Sequence, residues 1–293
     1  MTGADGWLRL GREIATRHAG RAQVEVLGST SAHAVLLVRG GATRLVLKVA
    51  AASARPGLDY ARSAAAQRLA DHAGVPVAGV VAAGADPELP AVQYLLHEHV
   101  DGVQWRAVRP ALDPVGRAAA STDIARAVLA LQSVRPASYG VLGGPPTASL
   151  LDALGDRITA RIPPGRQRVL AQDVLARHAS LFDGPVGRPT LTHDDLHHAN
   201  LLFRRRTDGS WRLVAVLDWD KAWAGPAESD VARMGFWDDM TDPVFWSVYR
   251  EAVPERDGWA QRAAVYQLLW CLEYDVDTDR HRRDTAELVE RLT

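Results

Sequence analysis

The sequence predicts an α+β protein with two lobes, in which a small β-rich lobe precedes a larger and mainly helical one. Five short β-like runs lie before residue 98, and an alanine-rich helical stretch separates the third run from the fourth. Helical segments dominate the chain after Gly102, apart from a polar loop between short β-like segments. We therefore expect an N-terminal lobe at residues 1–97, a hinge at 98–102 and a C-terminal lobe at 103–293.

The N-terminal lobe has a simple predicted order of elements. A first helix covers residues 5–18, the β-like runs cover 22–27, 33–38, 43–50, 77–83 and 91–97, and a second helix covers 58–73. In the third run Leu45 and Leu47 alternate with Lys48, so Lys48 faces the opposite side of that strand.

The C-terminal lobe is predicted from helix signals and from one polar loop. Asp113 followed by Pro114 is typical of a helix start, and this helix extends to residue 134. Further helices are predicted over residues 149–161, 167–182 and from 227 onward. The polar loop covers residues 188–199, and residues 200–204 and 211–217 after it form a predicted hairpin.

The composition excludes several classes of protein. The 293 residues include 34 basic and 35 acidic ones, so there is no positive surplus for general nucleic-acid binding. The 47% hydrophobic content argues against a disordered chain, and no charge-poor stretch is long enough to span a bilayer. Cys271 is a single cysteine, and the first residues lack the pattern of a signal peptide. We expect a soluble cytoplasmic protein, either a monomer or a homodimer.

Lysine is rare in this chain. Of the 34 basic residues only Lys48 and Lys221 are lysines. A lysine that persists where arginine is otherwise used indicates a place that needs a compact point charge, although two lysines can also fall anywhere by chance. We expect Lys48 to be the special one and Lys221 to lie at the surface.

The most informative stretch is the polar loop together with the strand end that follows it. Asp195 and Asn200 lie between two apolar β-like runs, and Asp218 and Asp220 follow the next run. Carboxylate and amide oxygens at the ends of buried strands are typical ligands of a hard cation such as Mg²⁺. Asn200 and Asp218 can supply such oxygens, which leaves Asp195 free to deprotonate a hydroxyl.

These motifs resemble those of the aminoglycoside phosphotransferase family, which consists of small-molecule kinases with a protein-kinase-like fold. The resemblance rests on His-Asp-Asp-Leu-His-His-Ala-Asn at 193–200, Leu-Asp-Trp-Asp at 217–220 and Gly-Pro-Ala-Glu-Ser-Asp-Val-Ala at 225–232. It extends in order over most of the chain. The resemblance implies a five-stranded antiparallel sheet in the first lobe and transfer of the γ-phosphoryl group of ATP, or of GTP, to a small-molecule hydroxyl with Mg²⁺.

The resemblance also implies a role for particular residues. Asp195 is expected to be the catalytic base, Asn200 and Asp218 the metal ligands, and Lys48 the lysine that holds the α- and β-phosphates. The backbone of the turn between the first two strands is expected to cover the phosphates, and the hinge backbone to bind adenine. The turn residues are Gly28, Ser29, Thr30 and Ser31, and the hinge residues are Glu98 and Val100. His193 is expected to brace the loop by hydrogen bonds.

Two positions depart from the family pattern. Asp194 stands where the family has glycine, and a second carboxylate beside Asp195 could raise its pKa or bind a further cation. The family has a glutamate in the second helix that pairs with the lysine, whereas this position is about Ser63 here. The lysine clamp is then missing, misaligned or rebuilt from Asp59.

The acceptor is expected to bind in the helical part of the C-terminal lobe. Acids in that region would attract a cationic compound, and tryptophan faces suit sugar rings and ammonium groups, although such residues are also common on solvated helices and in cores. The expected acceptor residues are Asp238, Asp239, Glu273, Asp277, Trp237 and Trp270. We expect an aminoglycoside-like or sugar-containing acceptor. The alternatives are an amino alcohol or other primary metabolite, a nucleotide-binding pseudokinase and, last, a metal-dependent phosphohydrolase.

Overall fold

The computed structural model describes residues 4–54, 57–89, 91–183, 187–274 and 278–293. Its N-terminal lobe is built on one antiparallel sheet in the strand order β1-β2-β3-β5-β4. The strands are β1 (Gln23–Ser29), β2 (His33–Gly40), β3 (Thr43–Ala51), β4 (Val80–Ala85) and β5 (Val92–Glu98), and the helices are α1 (Ala4–Ala19) and α2 (Tyr60–His72). The predicted sheet and both predicted helices are confirmed.

The two faces of strand β3 have different neighbours. Leu47 is buried together with Trp7 and Ile14 of α1, so the apolar face of the sheet packs on that helix. Lys48 points to the other side, where the Tyr60 ring of α2 lies 5.4 Å from its ammonium nitrogen. The period of two along the strand therefore separates the core from the cleft between the lobes.

The C-terminal lobe consists mainly of helices around short strands. Its helices are α3 (Trp105–Val108), α4 (Pro114–Ser133), α5 (Leu150–Arg161), α6 (Arg166–Arg177), α7 (Ala227–Gly235), α8 (Pro243–Ala252), α9 (Trp259–Glu273) and α10 (Asp279–Leu292). Its strands are β6 (Val103–Gln104), β7 (Thr190–Thr192), β8 (Leu201–Arg205), β9 (Trp211–Val216) and β10 (Trp223–Gly225). Asp113 caps α4 by accepting a hydrogen bond from the Gly116 backbone N–H, as expected for an aspartate before proline.

The predicted hairpin positions the polar loop. Strands β8 and β9 are antiparallel, with Leu201 opposite Val216. Just beyond that pair the Leu217 backbone N–H donates to the Asn200 carbonyl oxygen at 2.8 Å. The loop that ends at Asn200 and the segment that starts at Asp218 are thereby held side by side.

An extended segment joins the lobes between β5 and β6. The His99 backbone N–H donates to the Arg44 carbonyl oxygen at 3.0 Å, and β6 pairs with β8 of the C-terminal lobe. Within the described ranges, no helix has the length and apolar character needed to cross a membrane.

Candidate active site

The polar loop is held rigidly by hydrogen bonds to buried groups. His193 contacts the Leu217 carbonyl oxygen through Nε2 at 2.8 Å and accepts the Asp195 backbone N–H through Nδ1 at 3.2 Å. Burial lowers the pKa of His193, which favours the neutral ring that this pattern needs. Asp230 accepts the backbone N–H groups of His193 and Asp194 at 3.0 and 2.7 Å. His193 braces the loop as expected.

The carboxylate of Asp195 lines a cavity formed by residues of the C-terminal lobe. The residue is 8% exposed, and its Oδ1 accepts a hydrogen bond from Arg233 Nη2 at 3.0 Å. The Tyr274 hydroxyl lies 3.3 and 3.2 Å from its two oxygens. Burial alone would raise the pKa of Asp195, but the positive charges of Lys221 and Arg233 outweigh burial and hold it below the usual value. The group is therefore ionised at neutral pH, as a proton acceptor must be.

The expected metal ligands are adjacent and offer suitable atoms. Asn200 is buried, and its amide nitrogen donates to the Asp195 carbonyl oxygen at 3.0 Å, which leaves the amide oxygen for another partner. Asp218 is exposed toward the cleft and has a left-handed backbone, with φ of 65°. An amide oxygen and a carboxylate fit the oxygen-rich shell that Mg²⁺ prefers. Groups of three or more histidine, cysteine or acidic side chains in metal-binding arrangement are absent from the described residues.

Lys48 reaches across the cleft to the end of β9. Its Nζ lies 2.8 Å from Asp218 Oδ1 and 2.6 Å from Asp220 Oδ2. Burial alone would lower the pKa of Lys48, but the two carboxylates outweigh it and hold the pKa above its usual value. The lysine of the first lobe is thus a fixed positive charge beside the expected metal ligand.

The helix position that should carry a glutamate has no acid. Ser63 is buried, and its hydroxyl donates to the Asp59 carbonyl oxygen at 3.1 Å. Asp59 caps α2 by accepting the Arg62 backbone N–H, and its carboxylate pairs with the Arg62 guanidinium at 3.2 Å. Lys48 instead pairs with Asp220, so the structure does not rebuild the clamp from Asp59.

Asp194 plays a different part from the one expected. Its backbone φ is 62°, in the left-handed region where glycine is favoured and aspartate is tolerated. Its carboxylate pairs with Arg157 at 3.0 Å and with Arg161 at 2.6 Å and is buried. Since these arginines neutralise it and the pKa of Asp195 is lowered, the expectation of a raised pKa at Asp195 is wrong.

Two further expectations need correction. The Glu273 side chain is only 2% exposed, and Arg157 Nε lies 2.5 Å from its carboxylate, so it is not an open acid for a cationic acceptor. Lys221 is not a surface residue. Its ammonium lies 3.5 Å from Glu273 and 3.7 Å from the centre of the Tyr274 ring, and burial lowers the pKa of Lys221 to about 8.

Two cavities meet near Asp195. The first, of about 360 Å³, includes Arg62, Ser63, Arg161, Trp219, Lys221 and Tyr274. The second, of about 200 Å³, includes Asp195, His197, Arg233, Trp237, Trp270 and Tyr274. Because Tyr274 lines both, its side chain lies between the aromatic pocket that holds Asp195 and the charged pocket that holds Lys221.

Comparison with known sequences decides the family. The profile of the phosphotransferase enzyme family, APH, matches residues 23–265. The chain belongs to this family. The resemblance inferred from the motifs is thereby confirmed. A search of curated proteins found no significant match.

Solved structures of APH-like kinases have the same architecture. A Haemophilus somnus 129PT protein assigned as a fructosamine-3-kinase is 16% identical, with a TM-score of 0.69 and 98% of each chain covered. A thermostable mutant of aminoglycoside phosphotransferase APH(4)-Ia, in a complex with AMP-PNP and hygromycin B, is 18% identical, with a TM-score of 0.65 and 96% of each chain covered. Choline kinase LicA from Streptococcus pneumoniae is 15% identical, with a TM-score of 0.64 and coverage of 97% of this chain and 98% of its own. These likenesses confirm the two-lobed kinase-like fold.

The acceptor residues expected for this phosphotransferase separate into two groups. Trp237 and Trp270 line the aromatic pocket beside Asp195. Asp238 and Asp239 line instead a neighbouring surface depression, which shares His197 and Trp237 with that pocket. Asp238 pairs with Arg280 at 2.9 Å and Asp239 with Arg109 at 3.0 Å. Asp277 falls outside the described residues.

The turn and hinge expected to bind the nucleotide already contain internal hydrogen bonds. The Thr30 backbone N–H donates to the His33 carbonyl oxygen at 2.8 Å, and Thr30 Oγ1 accepts the Ala32 backbone N–H at 3.1 Å. At the hinge, the Glu98 carbonyl oxygen lies 3.0 Å from His97 Nδ1. Phosphate and adenine contacts at Gly28–Ser31, Glu98 and Val100 remain predictions.

Sequence reasoning missed Arg233 and Tyr274. Arg233 is one of 32 arginines, so its residue type carried no signal. Arg233 lies three residues after Asp230 and so on the same helix face, and Asp230 contacts the loop. That spacing is the signal that could have placed Arg233 near the loop. Lys221 is the second lysine of the sequence, and the prediction that it lies at the surface is wrong.

Proposed function

We propose that this protein transfers the γ-phosphoryl group of ATP to a hydroxyl group of a small molecule. One observation carries the proposal, namely that Lys48 of the first lobe contacts Asp218 of the second, beside the loop that holds Asp195 and Asn200. Phosphoryl transfer needs positioning and charge neutralisation more than covalent chemistry, and these four groups supply both.

Each residue has a distinct part in this proposal. Asp195 accepts the proton of the acceptor hydroxyl. The hydroxyl oxygen attacks the γ-phosphorus, the bond from that phosphorus to the bridging β-phosphate oxygen breaks, and ADP leaves. Asn200 and Asp218 would hold Mg²⁺, which neutralises charge on the phosphate oxygens when it is bound. Lys48 holds the α- and β-phosphates. GTP would be handled by the same groups, and the hinge backbone at Glu98 and Val100 would decide between the bases.

For the acceptor we propose a ring-bearing compound, such as a sugar-containing or aminoglycoside-like molecule. Trp237 and Trp270 line the cavity beside the base, and the half-buried Trp237 can contact a sugar ring there. Among the similar structures, one was solved with hygromycin B bound and another is named a choline kinase. Both a sugar-containing acceptor and an ammonium-bearing acceptor therefore have a precedent.

We place the enzyme in the cytoplasm, as a monomer or a homodimer.

A coupled assay of ADP release with Mg²⁺ and ATP tests the proposal. The acceptor panel contains hygromycin B and other aminoglycosides, fructosamines, neutral amino sugars and choline. We expect one class to stimulate turnover and Asp195→Ala to abolish it with nucleotide affinity little changed. Normal turnover in Asp195→Ala would refute the assignment of the base.

Two outcomes would support the alternatives instead. A protein that binds nucleotide but transfers phosphate neither to any acceptor nor to water would be a pseudokinase. Metal-dependent phosphate release from simple phosphate esters without nucleotide would indicate a phosphohydrolase.

A further inference from the structure

Arg233 of α7 is the arginine that pairs with Asp195. Its side chain is 3% exposed, and Nη2 donates to Oδ1 of Asp195 at 3.0 Å. A buried guanidinium needs a paired partner, because its desolvation is otherwise uncompensated. Among the described residues, Asp195 is the carboxylate within 4.0 Å of Arg233.

Aromatic rings fix the position of this guanidinium. Its central carbon lies 3.2 Å from the centre of the Trp270 ring and 4.9 Å from that of Trp237. Cation–π contacts of this kind favour a charged group over the face of a tryptophan. Arg233 therefore presents Nη2 to Asp195 from a site in which it has little freedom to move.

Tyr274 also contacts Asp195, but more weakly than Arg233 does. Tyr274 is half-buried, lines both cavities, and approaches both oxygens of Asp195 at the longer distances of 3.2 and 3.3 Å. An acceptor hydroxyl can reach Asp195 by displacing the Tyr274 hydroxyl, which is neutral and partly exposed. Oδ1 can meanwhile stay paired with Arg233.

We propose that Arg233 is a positioning residue of the transfer reaction, which fixes Oδ1 of Asp195 so that Oδ2 faces the acceptor hydroxyl. This inference rests on the proposed function. A carboxylate can rotate about its side-chain bond, and a displacement of about 1 Å at a reacting group can reduce the rate about 100-fold. Arg233 acts through Asp195 and is not assigned a contact with the substrate.

The experiment compares Arg233→Lys with Arg233→Met. Methionine keeps much of the packing between the two tryptophans but removes the charge, whereas lysine keeps the charge and can donate to Oδ1. Arg262 is the matched control, because it is also a buried arginine on the C-terminal lobe and pairs with Glu228 at 2.6 Å, away from Asp195. The measurements are kcat, the KM for ATP and the thermal unfolding temperature, with the most active acceptor of the panel or with water.

We expect Arg233→Met to lower kcat about 100-fold with the KM for ATP within about twofold of wild type. The kcat of Arg233→Lys should be about tenfold higher than that of Arg233→Met, because lysine keeps the charge but not the planar group. Arg262→Met and Arg262→Lys should lower the unfolding temperature but keep kcat, which separates loss of stability from loss of positioning.

Either of two results would overturn the inference while the proposed function stands. One is a folded Arg233→Met protein with wild-type kcat, when Asp195→Ala is inactive. The other is an Arg233→Met protein whose kcat falls no further than that of Arg262→Met, which would mean that Arg233 acts through stability alone. Wild-type turnover in Asp195→Ala would instead refute the proposed base, and Arg233 would then have nothing to position.

Discussion

Lys48 and Asp218 join the two lobes through a direct ion pair, with 2.8 Å between Nζ and Oδ1. They are separated by 170 residues and come from the third strand of one lobe and the strand end of the other. The ammonium is the proposed phosphate ligand and the carboxylate is a proposed magnesium ligand. Binding of a magnesium nucleotide would therefore exchange this pair for contacts to phosphate and metal, and both charges would stay compensated.

The first prediction concerns the type of charge at position 48. Lys48 contacts two carboxylates with one nitrogen and is 13% exposed, so the longer and planar group of Lys48→Arg cannot occupy the same place. We expect kcat/KM for ATP to fall by about 10- to 100-fold although the charge is kept. Steady-state kinetics measure this.

Arg44→Lys on the same strand is the control, because Arg44 is exposed and should tolerate the change. Wild-type kinetics in Lys48→Arg would refute the argument that this position requires lysine.

The second prediction identifies the group that replaces the helix glutamate. If Asp220 fills that role through its 2.6 Å contact with Lys48, Asp220→Asn should lower both kcat and the unfolding temperature. Asp59→Asn removes the charge of the other candidate partner of Lys48. It should lower the free energy of unfolding by less than about 0.5 kcal/mol, because asparagine and aspartate cap helices about equally well. Kinetics and thermal unfolding of both variants measure this. The reverse order of effects would restore Asp59 as the partner.

The sequence predicts those parts of the site whose residues lie close together in the chain, and it does not predict contacts between distant residues. Asp195, Asn200 and Asp218 lie in two short motifs next to one hairpin, so their residue types and spacing were enough to bring them together. The pairs Arg157 with Glu273 and Arg233 with Asp195 join residues 116 and 38 positions apart, on different elements. No periodicity in one sequence shows such pairs, because they depend on how the helices pack.

The charge of the acceptor pocket illustrates the same limit. Acidic residues near tryptophans favoured a cationic acceptor when only the sequence was considered. In the folded chain Glu273, Asp238 and Asp239 each pair with an arginine, and two of them lie away from the cavity that holds Asp195. The aromatic side chains that line that cavity remain the feature that we propose to select the acceptor.

The third prediction concerns the unusual aspartate in the loop. Asp194→Asn keeps a residue that tolerates the left-handed backbone but removes the charge that pairs with Arg157 and Arg161. We expect a loss of about 3 kcal/mol in the free energy of unfolding, because two arginines then share Glu273 alone. Denaturant unfolding measures it.

Asp194→Gly would relieve backbone strain of about 1 kcal/mol and should still be less stable than wild type. Asp208→Asn, which removes an exposed pair with Arg206, should leave the stability nearly unchanged because solvent screens that pair. A glycine variant as stable as wild type would show that the ion pairs of Asp194 contribute no more than the backbone strain that glycine relieves, about 1 kcal/mol.

The last prediction concerns stability in acid. Arg157, Arg161 and Lys221 outweigh the burial of Glu273 and hold the pKa of Glu273 below its ordinary value of about 4.3. The unfolded chain therefore binds a proton at this residue before the folded chain does, so the stabilisation is complete above about pH 4.3 and is lost as the pH falls below it. Glu273→Gln should be less stable than wild type at pH 7 and should lose less stability between pH 5 and 3. Urea unfolding at a series of pH values measures this, and the exposed Glu287→Gln should keep the wild-type slope. An unchanged slope in Glu273→Gln would mean that another acid governs acid unfolding.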